Sequence, residues 1–178
     1  MNVVNTGIKG YVCEFFSPIG NLILVSDGKA LTGLYLNKKA MFENNSSNAV
    51  LDETLPVFLK VKKWLEAYFL GKNLKINFPI KLCGSEFRRK VWAILKTVPY
   101  GETTTYGEIA MKIKKQKGGK AMAAQAVGGA LNHNPISIVI PCHRVIGKNG
   151  SLVGYGSGLS IKKKLLEIEG IDIKKFDK

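Results

Sequence analysis

The chain contains 178 residues, of which 46% are apolar, and its 27 Lys and Arg against 13 Asp and Glu give a net charge of +14. This apolar share is enough for a packed core in one large or two small domains, which excludes a disordered chain. No run of about 18 consecutive apolar residues is present, so the sequence predicts no membrane-spanning helix and no membrane partner. Met1 to Asn5 lack the charged start of a signal peptide, which predicts a cytoplasmic protein, or a nuclear one in a eukaryote.

The positive charge is concentrated in the second half of the chain. Residues 81–178 carry 18 Lys and Arg against 7 Asp and Glu, whereas residues 1–80 carry 9 against 6. A basic region of this kind favours a polyanion such as nucleic acid as its partner. The alternative is a lysine-rich, solvated surface, because only three of the 27 basic residues are arginines.

Residues 1–79 are predicted to form a small α/β domain. Short apolar runs separated by Ser-Pro and Asp-Gly turns predict three strands, and a stripe of apolar side chains behind Pro56 predicts a helix that Gly71 ends. A polar loop precedes that helix. No set of side chains in this part predicts chemistry, so we interpret it as structural, with residues 80–84 as the connector. The predicted elements are strands over 11–16, 22–26 and 31–36, a loop over 44–48 and a helix over about 56–71.

Residues 85–178 are predicted to form a second, mostly helical domain. Ser85 is a favourable N-cap for a helix that stops at Pro99. Thr105 and Glu108 have the spacing of a capping box, which predicts a second helix to about residue 113. A third helix is predicted over about 120–131. Two helices around a short Gly-containing turn are typical of a helix-turn-helix.

The third helix has an unusual outer face of small and uncharged residues: Ala121, Gln125, Gly128 and Asn132. A glycine inside a helix costs about 1 kcal/mol relative to Ala, so Gly128 and Gly129 need a reason. A smooth face of this kind suits the DNA minor groove, which is only about 6 Å wide. Tight packing against a neighbouring helix is the alternative.

Cys142 and His143 lie side by side in the sequence Ile140-Pro141-Cys142-His143-Arg144-Val145. The apolar run before them predicts a strand over 138–140, which Pro141 should end. Only a thiolate attacks, so beside an imidazole and a guanidinium we expect a pKa of Cys142 below its ordinary value. Neighbouring side chains of an extended segment point apart, so we expect a bridging water between Cys142 and His143. The alternative is a cysteine that only packs.

Glu169 is the candidate for orienting the imidazole. A closing helix is predicted over about 160–169, and Ile161 and Leu165 define an apolar face that continues onto Glu169, just before Gly170. A carboxylate on a buried face is unfavourable unless it is paired, so we expect His143 as its partner. The alternative is a frayed, solvated helix end.

The remaining cysteines, Cys13 and Cys83, show no metal-site spacing. The chain has three cysteines without a C-x-x-C pair, and two histidines. We therefore expect no metal site and free thiols, with Cys13 and Cys83 as packing residues.

Several motifs occur here together in one order: Asn134-Pro135, Ile140 to Val145, Gly154-Tyr155, and Leu165-Leu166-Glu167-Ile168-Glu169-Gly170. In this combination the chain resembles the O6-alkylguanine-DNA alkyltransferases, over about residues 85–170. The resemblance implies an α/β fold with two parts. These are a small N-terminal ribonuclease-H-like α/β domain and a mostly helical C-terminal domain with a winged-helix-like helix-turn-helix.

The resemblance also implies roles for individual residues. Cys142 would accept the alkyl group, His143 would activate it through water, Glu169 would orient His143, and Asn134 would hold the turn before the active segment. Tyr106 would contact the flipped base and help rotate its phosphate. The predicted lining of the guanine pocket is the Val145 carbonyl, Tyr155 and Ser157. The predicted DNA contacts are Gln125, Ala121, Gly128, Lys114, Lys115, Lys117, Lys120 and Arg144.

One position departs from the family pattern. Where the family usually has an arginine that fills the gap left by the extruded nucleotide, this chain has Gln125. Glutamine fills space and forms hydrogen bonds, but it lacks the planar cation that stacks and binds phosphate. The departure bears on the efficiency of base flipping and leaves the chemistry unchanged.

The function implied is stoichiometric DNA repair without a cofactor by a monomer. The substrate would be O6-alkylguanine in duplex DNA, with O4-alkylthymine as a further candidate. The product would be a thioether on Cys142 with no water-labile bond, so each molecule would act once. Two alternatives stay open: a non-catalytic protein that binds alkylated DNA, which would need no thiol, and a cysteine hydrolase, which would turn over.

Overall fold

The computed structural model describes residues 10–36, 49–116 and 124–176. Its first half contains a four-stranded sheet in the order β3-β2-β1-β4. Strands β1 and β3 both pair antiparallel with β2, and β4 pairs parallel with β1. The predicted polar loop over 44–48 lies outside the described residues. The strands are β1 (Tyr11–Ser17), β2 (Gly20–Ser26), β3 (Leu31–Tyr35) and β4 (Val50–Leu51).

Helix α1 (Pro56–Phe69) lies against this sheet. Proline is tolerated at its first position because that amide has no partner within a helix. One stripe of the helix, from Val57 to Tyr68, is buried with the inward side chains of the sheet in a common core. The helix ends before Gly71, whose φ of 75° only glycine adopts easily. Strands β1 to β3 and the helix therefore match the elements predicted for this part of the chain, whereas β4 was not predicted.

The second half contains the helices that were predicted, together with two short strands that were not. Ser85 accepts a hydrogen bond from the Arg88 amide as N-cap of α2. Thr105 and Glu108 form the reciprocal bonds of a capping box at α3, with N to O distances of 2.9 and 3.1 Å. The mixed α/β fold class is confirmed. The elements are α2 (Glu86–Leu95), β5 (Thr104–Thr105), α3 (Tyr106–Gln116), α4 (Ala124–Asn132), β6 (Val145–Ile146) and α5 (Leu159–Ile168).

Helices α2, α3 and α4 pack on one another. The Trp92 indole of α2 donates to the Ala130 carbonyl of α4 over 3.0 Å, deep in the core. The connection between α3 and α4, together with the predicted start of the third helix, lies outside the described residues. Strands β5 and β6 form a parallel pair beside this helical group.

The predicted strand over 138–140 is wrong. These residues form a compact turn in which the Ile140 amide donates to the Ile136 carbonyl over 2.9 Å. Ile138 has a φ of 69°, a left-handed conformation that is rare for a β-branched residue. A short apolar run cannot distinguish a strand from a buried turn. Beyond Pro141 the chain continues into a single 3₁₀ turn, Cys142–Arg144.

Strand β3 of the first half holds this turn. The Leu34 amide donates to the Pro135 carbonyl over 2.8 Å, and the Ser137 amide donates to the Leu34 carbonyl over 3.0 Å. The connector also pairs with β3, because Leu31 exchanges backbone bonds with Pro79 and Lys81. Buried residues of both halves belong to one continuous apolar cluster. In the part of the chain that the structure describes, no helix is long and apolar enough to cross a membrane.

Candidate active site

Cys142 begins the 3₁₀ turn and is half-buried. The Asn134 side-chain amide donates to the Cys142 Sγ over 3.2 Å and to the Ile140 carbonyl over 2.8 Å. Its Oδ1 accepts from the Ile136 amide over 3.1 Å. Asn134 thus links the end of α4, the compact turn and the sulfur, which fixes the place of the thiol relative to α4.

The Glu169 carboxylate accepts five hydrogen bonds directly after the end of α5. Oε1 accepts from His143 Nε2 over 2.7 Å, from the Tyr68 hydroxyl over 2.8 Å and from Arg144 Nη2 over 2.9 Å. Oε2 accepts from Arg144 Nε over 2.8 Å and from the Gly101 amide over 3.2 Å. Only 4% of Glu169 is exposed, so the frayed, solvated helix end is excluded.

These contacts determine the charge of Glu169 and the tautomer of His143. Burial raises the pKa of Glu169, but the hydrogen bonds from His143 and Arg144 outweigh burial and lower it to about 2. An ionised carboxylate only accepts, so His143 Nε2 must carry a proton. Burial lowers the pKa of His143 despite the bond to Glu169, so the imidazole is neutral at neutral pH. Its Nδ1 is then a lone-pair acceptor, and it has no hydrogen-bond partner among the described residues.

The expectation of a lowered pKa for Cys142 is wrong. Burial raises the pKa of the thiol, and the Asn134 hydrogen bond and the charge of Lys162 only partly oppose this. The neighbouring imidazole is neutral, and Arg144 is directed to Glu169, so neither supplies the positive charge that the sequence suggested. The resting group is therefore a thiol that needs a base.

Arg144 also departs from its predicted contact with DNA. Its guanidinium points inward, where Nη1 donates to the Val98 carbonyl over 2.6 Å and two other nitrogens bind Glu169. It lies 5.8 Å from the centre of the Tyr100 ring. Because carboxylate, carbonyl and ring already satisfy the cation, we assign Arg144 to the buried network instead of to a phosphate contact.

A groove of about 810 Å³ lies along the exposed side of α4. Gly128 faces the Tyr106 ring, since a Cβ there would lie 3.8 Å from it, whereas a Cβ on Gly129 would meet no described atom within 4 Å. Helix packing therefore does not explain Gly129. The Tyr106 hydroxyl donates toward the Val153 and Gly154 carbonyls over 3.3 and 3.4 Å. The groove is lined by Thr105, Tyr106, Gly107, Ala124, Gln125, Gly128, Gly129, Asn132 and Lys148.

The three residues predicted to line the guanine pocket differ in burial and in their contacts. The Tyr155 hydroxyl is buried beside the Cys142 thiol, which is its hydrogen-bonding neighbour. Val145 is buried in β6, and its carbonyl accepts from Lys162 Nζ over 2.6 Å. Ser157 is half-buried in the turn before α5.

Lys114 and Lys115 are exposed at the end of α3. Their position leaves both ammonium groups accessible to solvent on the same helical group as the groove. The other predicted contacts, Lys117, Lys120 and Ala121, lie outside the described residues.

Sequence reasoning missed Tyr68 and Lys162. Tyr68 belongs to the half that showed no chemical pattern, and its apolar stripe on α1 indicated only packing. Lys162 is fully buried, donates to the Val145 and Val153 carbonyls over 2.6 and 2.9 Å, and has a pKa that burial lowers to about 8. It lies within a run of three lysines, and such a run is typical of a solvated face.

Among the described residues no group of three or more His, Cys, Asp or Glu side chains converges as a metal site would require.

Two family models match consecutive parts of the chain. Residues 14–82 match the ribonuclease-like domain of 6-O-methylguanine DNA methyltransferase, and residues 86–171 match its DNA binding domain. A methylated-DNA–protein-cysteine methyltransferase of Haemophilus influenzae is 41% identical over 162 residues, which cover 90% of this chain and 87% of the relative. The Methanosarcina acetivorans protein of the same name is 47% identical over 163 residues, which cover 90% and 98%.

Solved structures show the same likeness. The crystal structure of Mycobacterium tuberculosis OGT in complex with DNA has a TM-score of 0.77 and 40% identity, covering 89% of this chain and 92% of that one. The M. tuberculosis O6-methylguanine methyltransferase structure has a TM-score of 0.77 and 41% identity, covering 90% and 92%.

Proposed function

Because the chain belongs to the 6-O-methylguanine DNA methyltransferase family, we propose that it repairs DNA by moving an alkyl group from O6 of guanine to Cys142. One observation carries the proposal. A half-buried thiol, Cys142, lies beside a neutral imidazole that is oriented by the buried Glu169 carboxylate. Such an arrangement of nucleophile, base and orienting group is what covalent transfer requires.

The first step is removal of the thiol proton. Nδ1 of neutral His143 is the acceptor, and one water molecule between Nδ1 and the sulfur would carry the proton. Glu169 accepts from Nε2 and stabilises the imidazolium that forms. Asn134 donates to the sulfur and stabilises the developing thiolate. This proton transfer explains why a thiol whose pKa is raised by burial still serves as a nucleophile.

The second step forms a carbon–sulfur bond. The Cys142 thiolate attacks the alkyl carbon in line with the carbon–O6 bond, and that bond breaks with its electron pair on guanine. Guanine is a poor leaving group unless hydrogen-bond donors stabilise the negative charge. Burial raises the pKa of both Tyr106 and Tyr155, so their hydroxyls stay protonated and can donate. The product is a thioether, so the protein reacts once and needs no cofactor.

The substrate is proposed to be O6-alkylguanine in duplex DNA, with O4-alkylthymine as a further candidate. The small residues of α4 and the neighbouring groove support minor-groove binding, because long side chains would not fit there. Tyr106 lines this groove, where burial raises the pKa of its hydroxyl, and it lies close enough to Cys142 for the charge of the thiolate to raise that pKa further. A base extruded beside α4 would therefore move toward the sulfur. A monomeric state and an intracellular location are part of the same proposal.

Intact-protein mass spectrometry after incubation with duplex DNA containing O6-methylguanine tests the proposal. We expect one added methyl group per protein, located on Cys142, and none in Cys142→Ser. Cys83→Ser, which removes an exposed thiol outside the site, should still gain the methyl group.

The same experiment separates the alternatives. A cysteine hydrolase would release more than one product per protein molecule, and a non-catalytic binder would retain DNA affinity without any mass change. Either result, or methylation of Cys142→Ser, would refute the proposed reaction.

A further inference from the structure

The Tyr68 hydroxyl reaches the network around Glu169 from the first half of the chain. Only 2% of Tyr68 is exposed, and its hydroxyl lies 2.8 Å from Glu169 Oε1 and 3.4 Å from His143 Nε2. Burial raises the pKa of Tyr68 well above its ordinary value, and the negative charge of Glu169 raises it further. The phenol is therefore protonated, and since His143 Nε2 also carries a proton, Tyr68 donates to Glu169.

The ring of Tyr68 is held on several sides. It stacks on Trp64 with ring centres 5.4 Å apart, and it meets Phe69 and Tyr100 edge to face at 5.4 and 6.0 Å. Such aromatic contacts leave a buried ring little freedom to change rotamer. The position of the hydroxyl is thus set by α1 and not by the segment that carries Cys142.

We propose that Tyr68 is a positioning residue for alkyl transfer, through which the first half of the chain fixes the Glu169 carboxylate and tunes the basicity of His143. The proposal rests on the function proposed above and goes further, because it gives a role in the reaction to a part of the chain that the sequence marked only as scaffold.

Competition at one oxygen explains how Tyr68 would act. Oε1 has two lone pairs and receives three donors, from Tyr68, His143 and Arg144. Each extra donor draws negative charge away from the others, so the carboxylate stabilises the imidazolium less. Loss of the Tyr68 hydroxyl should leave more charge for His143 and raise its pKa. A base needs its neutral form, so the reaction would then require a higher pH.

Other ionisable groups also face this pair. The titratable or charged groups next to this pair or next to its direct neighbours are Tyr68 from α1, Tyr100 before β5, Cys142 and Arg144 of the 3₁₀ turn, Tyr155, and Lys162 from α5. Arg144 and Lys162 both lower the pKa of His143. Neither is altered by Tyr68→Phe, so a change in that variant reports on the phenol hydroxyl.

Nuclear magnetic resonance titration of the two imidazoles tests the proposal directly. The full-length chain carries Cys142→Ser to remove the titrating thiol, and the chain has only His133 and His143. We expect Tyr68→Phe to raise the pKa of His143 by about 0.5 to 1 unit, a three- to tenfold change in the ratio of its two forms. Exposed His133 should not change and serves as internal reference.

Tyr100→Phe is the matched control. This substitution also removes a partly buried phenol hydroxyl next to the network. That hydroxyl, however, donates over 2.8 Å to the Ile168 carbonyl and not to Glu169. Its ring, which lies beside Arg144 and Tyr68, is retained. The titration of His143 should be unchanged in this variant. An equal shift in both variants would overturn the proposal.

Kinetics supply the second readout. These measurements use protein that retains the Cys142 thiol. With free O6-benzylguanine, Tyr68→Phe should react about three to ten times more slowly than the native chain at about pH 6. At about pH 8 the two rates should become similar. A loss of rate equal at every pH, with an unshifted His143, would mean that Tyr68 only fills space. Nuclear Overhauser contact between the Tyr68 hydroxyl proton and the His143 Nε2 proton checks the geometry without any substitution.

The two proposals fail separately. If the native protein transfers no alkyl group, the proposed function fails, whereas the titration still decides whether Tyr68 tunes His143. If the native protein transfers the group and Tyr68→Phe leaves both titration and pH profile unchanged, the function stands and the role of Tyr68 falls.

Discussion

At the scale of the residue, Glu169 determines most of the properties of the site. A buried carboxylate would be unfavourable alone, yet five donors from four residues surround it. These bonds keep it ionised, and its charge in turn fixes which nitrogen of His143 is basic. In the proposed reaction, chemistry at Cys142 thus depends on a carboxylate whose hydrogen bonds do not include the sulfur.

The contribution of Glu169 to stability should depend on pH. Its pKa is about 2 in the folded chain against an ordinary value of 4.5, so the stabilisation is present above about pH 4.5 and is lost as pH falls through 2. This difference in the pKa of Glu169 corresponds to a contribution on the order of 3 kcal/mol to the free energy of unfolding. We expect Glu169→Gln to lower the free energy of unfolding by a few kcal/mol at neutral pH, and to flatten its decline in acid.

Urea unfolding at a series of pH values measures this effect. Glu167→Gln, a change of an exposed carboxylate two residues away, should leave both stability and its acid dependence nearly unchanged. An acid dependence in Glu169→Gln as steep as in the native chain would contradict the assignment.

Gln125 lies exposed on the groove side of α4, at the position where the resemblance implies an arginine. We expect Gln125→Arg to speed alkyl transfer from duplex DNA, because a planar cation stabilises the gap left by an extruded base and unstacking costs a few kcal/mol. The reaction with free O6-benzylguanine needs no extrusion and should be unchanged. The ratio of the two rates is the measured quantity.

Asn132→Arg is a suitable control for added charge, since Asn132 is also exposed in the same groove. It should strengthen duplex binding without raising the transfer rate at saturating DNA. Equal changes for duplex and free base in Gln125→Arg would show that this residue acts on the pocket or on folding. A slower duplex reaction alone would show that glutamine already fits the gap.

At the scale of the element, the compact turn and the 3₁₀ turn replace the strand that the apolar run predicted. A 3₁₀ turn places Cys142, His143 and Arg144 at about 120° intervals around its axis. Their side chains therefore point in three directions, whereas in a strand they would alternate between two opposite faces. Cys142 faces Asn134, while His143 and Arg144 both reach Glu169. One short element thereby serves the nucleophile and its activating network.

The end of α3 should contribute to DNA affinity. Replacing Lys114 and Lys115 with glutamine is expected to weaken binding to every duplex similarly and to flatten the salt dependence, by up to about 0.9 log unit per lost phosphate contact. Their ammonium groups would bind phosphates, which carry no sequence information. Binding measured at several salt concentrations gives the slope.

Lys60 and Lys63 provide the matched pair, because both are exposed on α1 in the less basic half. Their replacement removes the same charge and should change the slope little. If both pairs change it equally, or neither does, the lysines of α3 are only part of a solvated surface.

At the scale of the whole molecule, the two halves behave as one body around a continuous core. Strand β3 binds the turn before Cys142, and α1 supplies the hydroxyl that reaches Glu169. Buried apolar residues of both halves belong to the same cluster. A disturbance of the first half should therefore reach the site.

Unfolding measurements test whether the two halves unfold together. The chain has two tryptophans, one in each half, and both are buried. In Trp92→Phe only Trp64 reports, and in Trp64→Phe only Trp92 reports. We expect each variant's fluorescence transition to coincide with its own circular dichroism transition, because a shared core couples the halves. A first half that melts separately in Trp92→Phe would contradict a single cooperative unit.

The local elements, and Cys142, His143 and Glu169 of the site, can be predicted from the order of the amino acids alone. Caps, turns and apolar stripes are decided within a few residues, so α1 to α3 and β1 to β3 were predictable from Pro56, Ser85 or the Thr105–Glu108 pair. Cys142, His143 and Glu169 were found because a thiol beside an imidazole, and a carboxylate on an apolar face, are unusual in any context. Family membership followed from these motifs in their order.

Other properties of the site depend on partners that are distant in sequence and meet only in the folded chain. Tyr68 and Glu169 are 101 residues apart, and nothing near Tyr68 marks its hydroxyl as different from a packing group. The inward direction of Arg144, the burial of Lys162 and the raised pKa of Cys142 follow from which acceptors and how much solvent surround each group. Those surroundings exist only once β3, α1 and α5 have packed around the 3₁₀ turn, because desolvation and hydrogen bonding act through space and not along the chain.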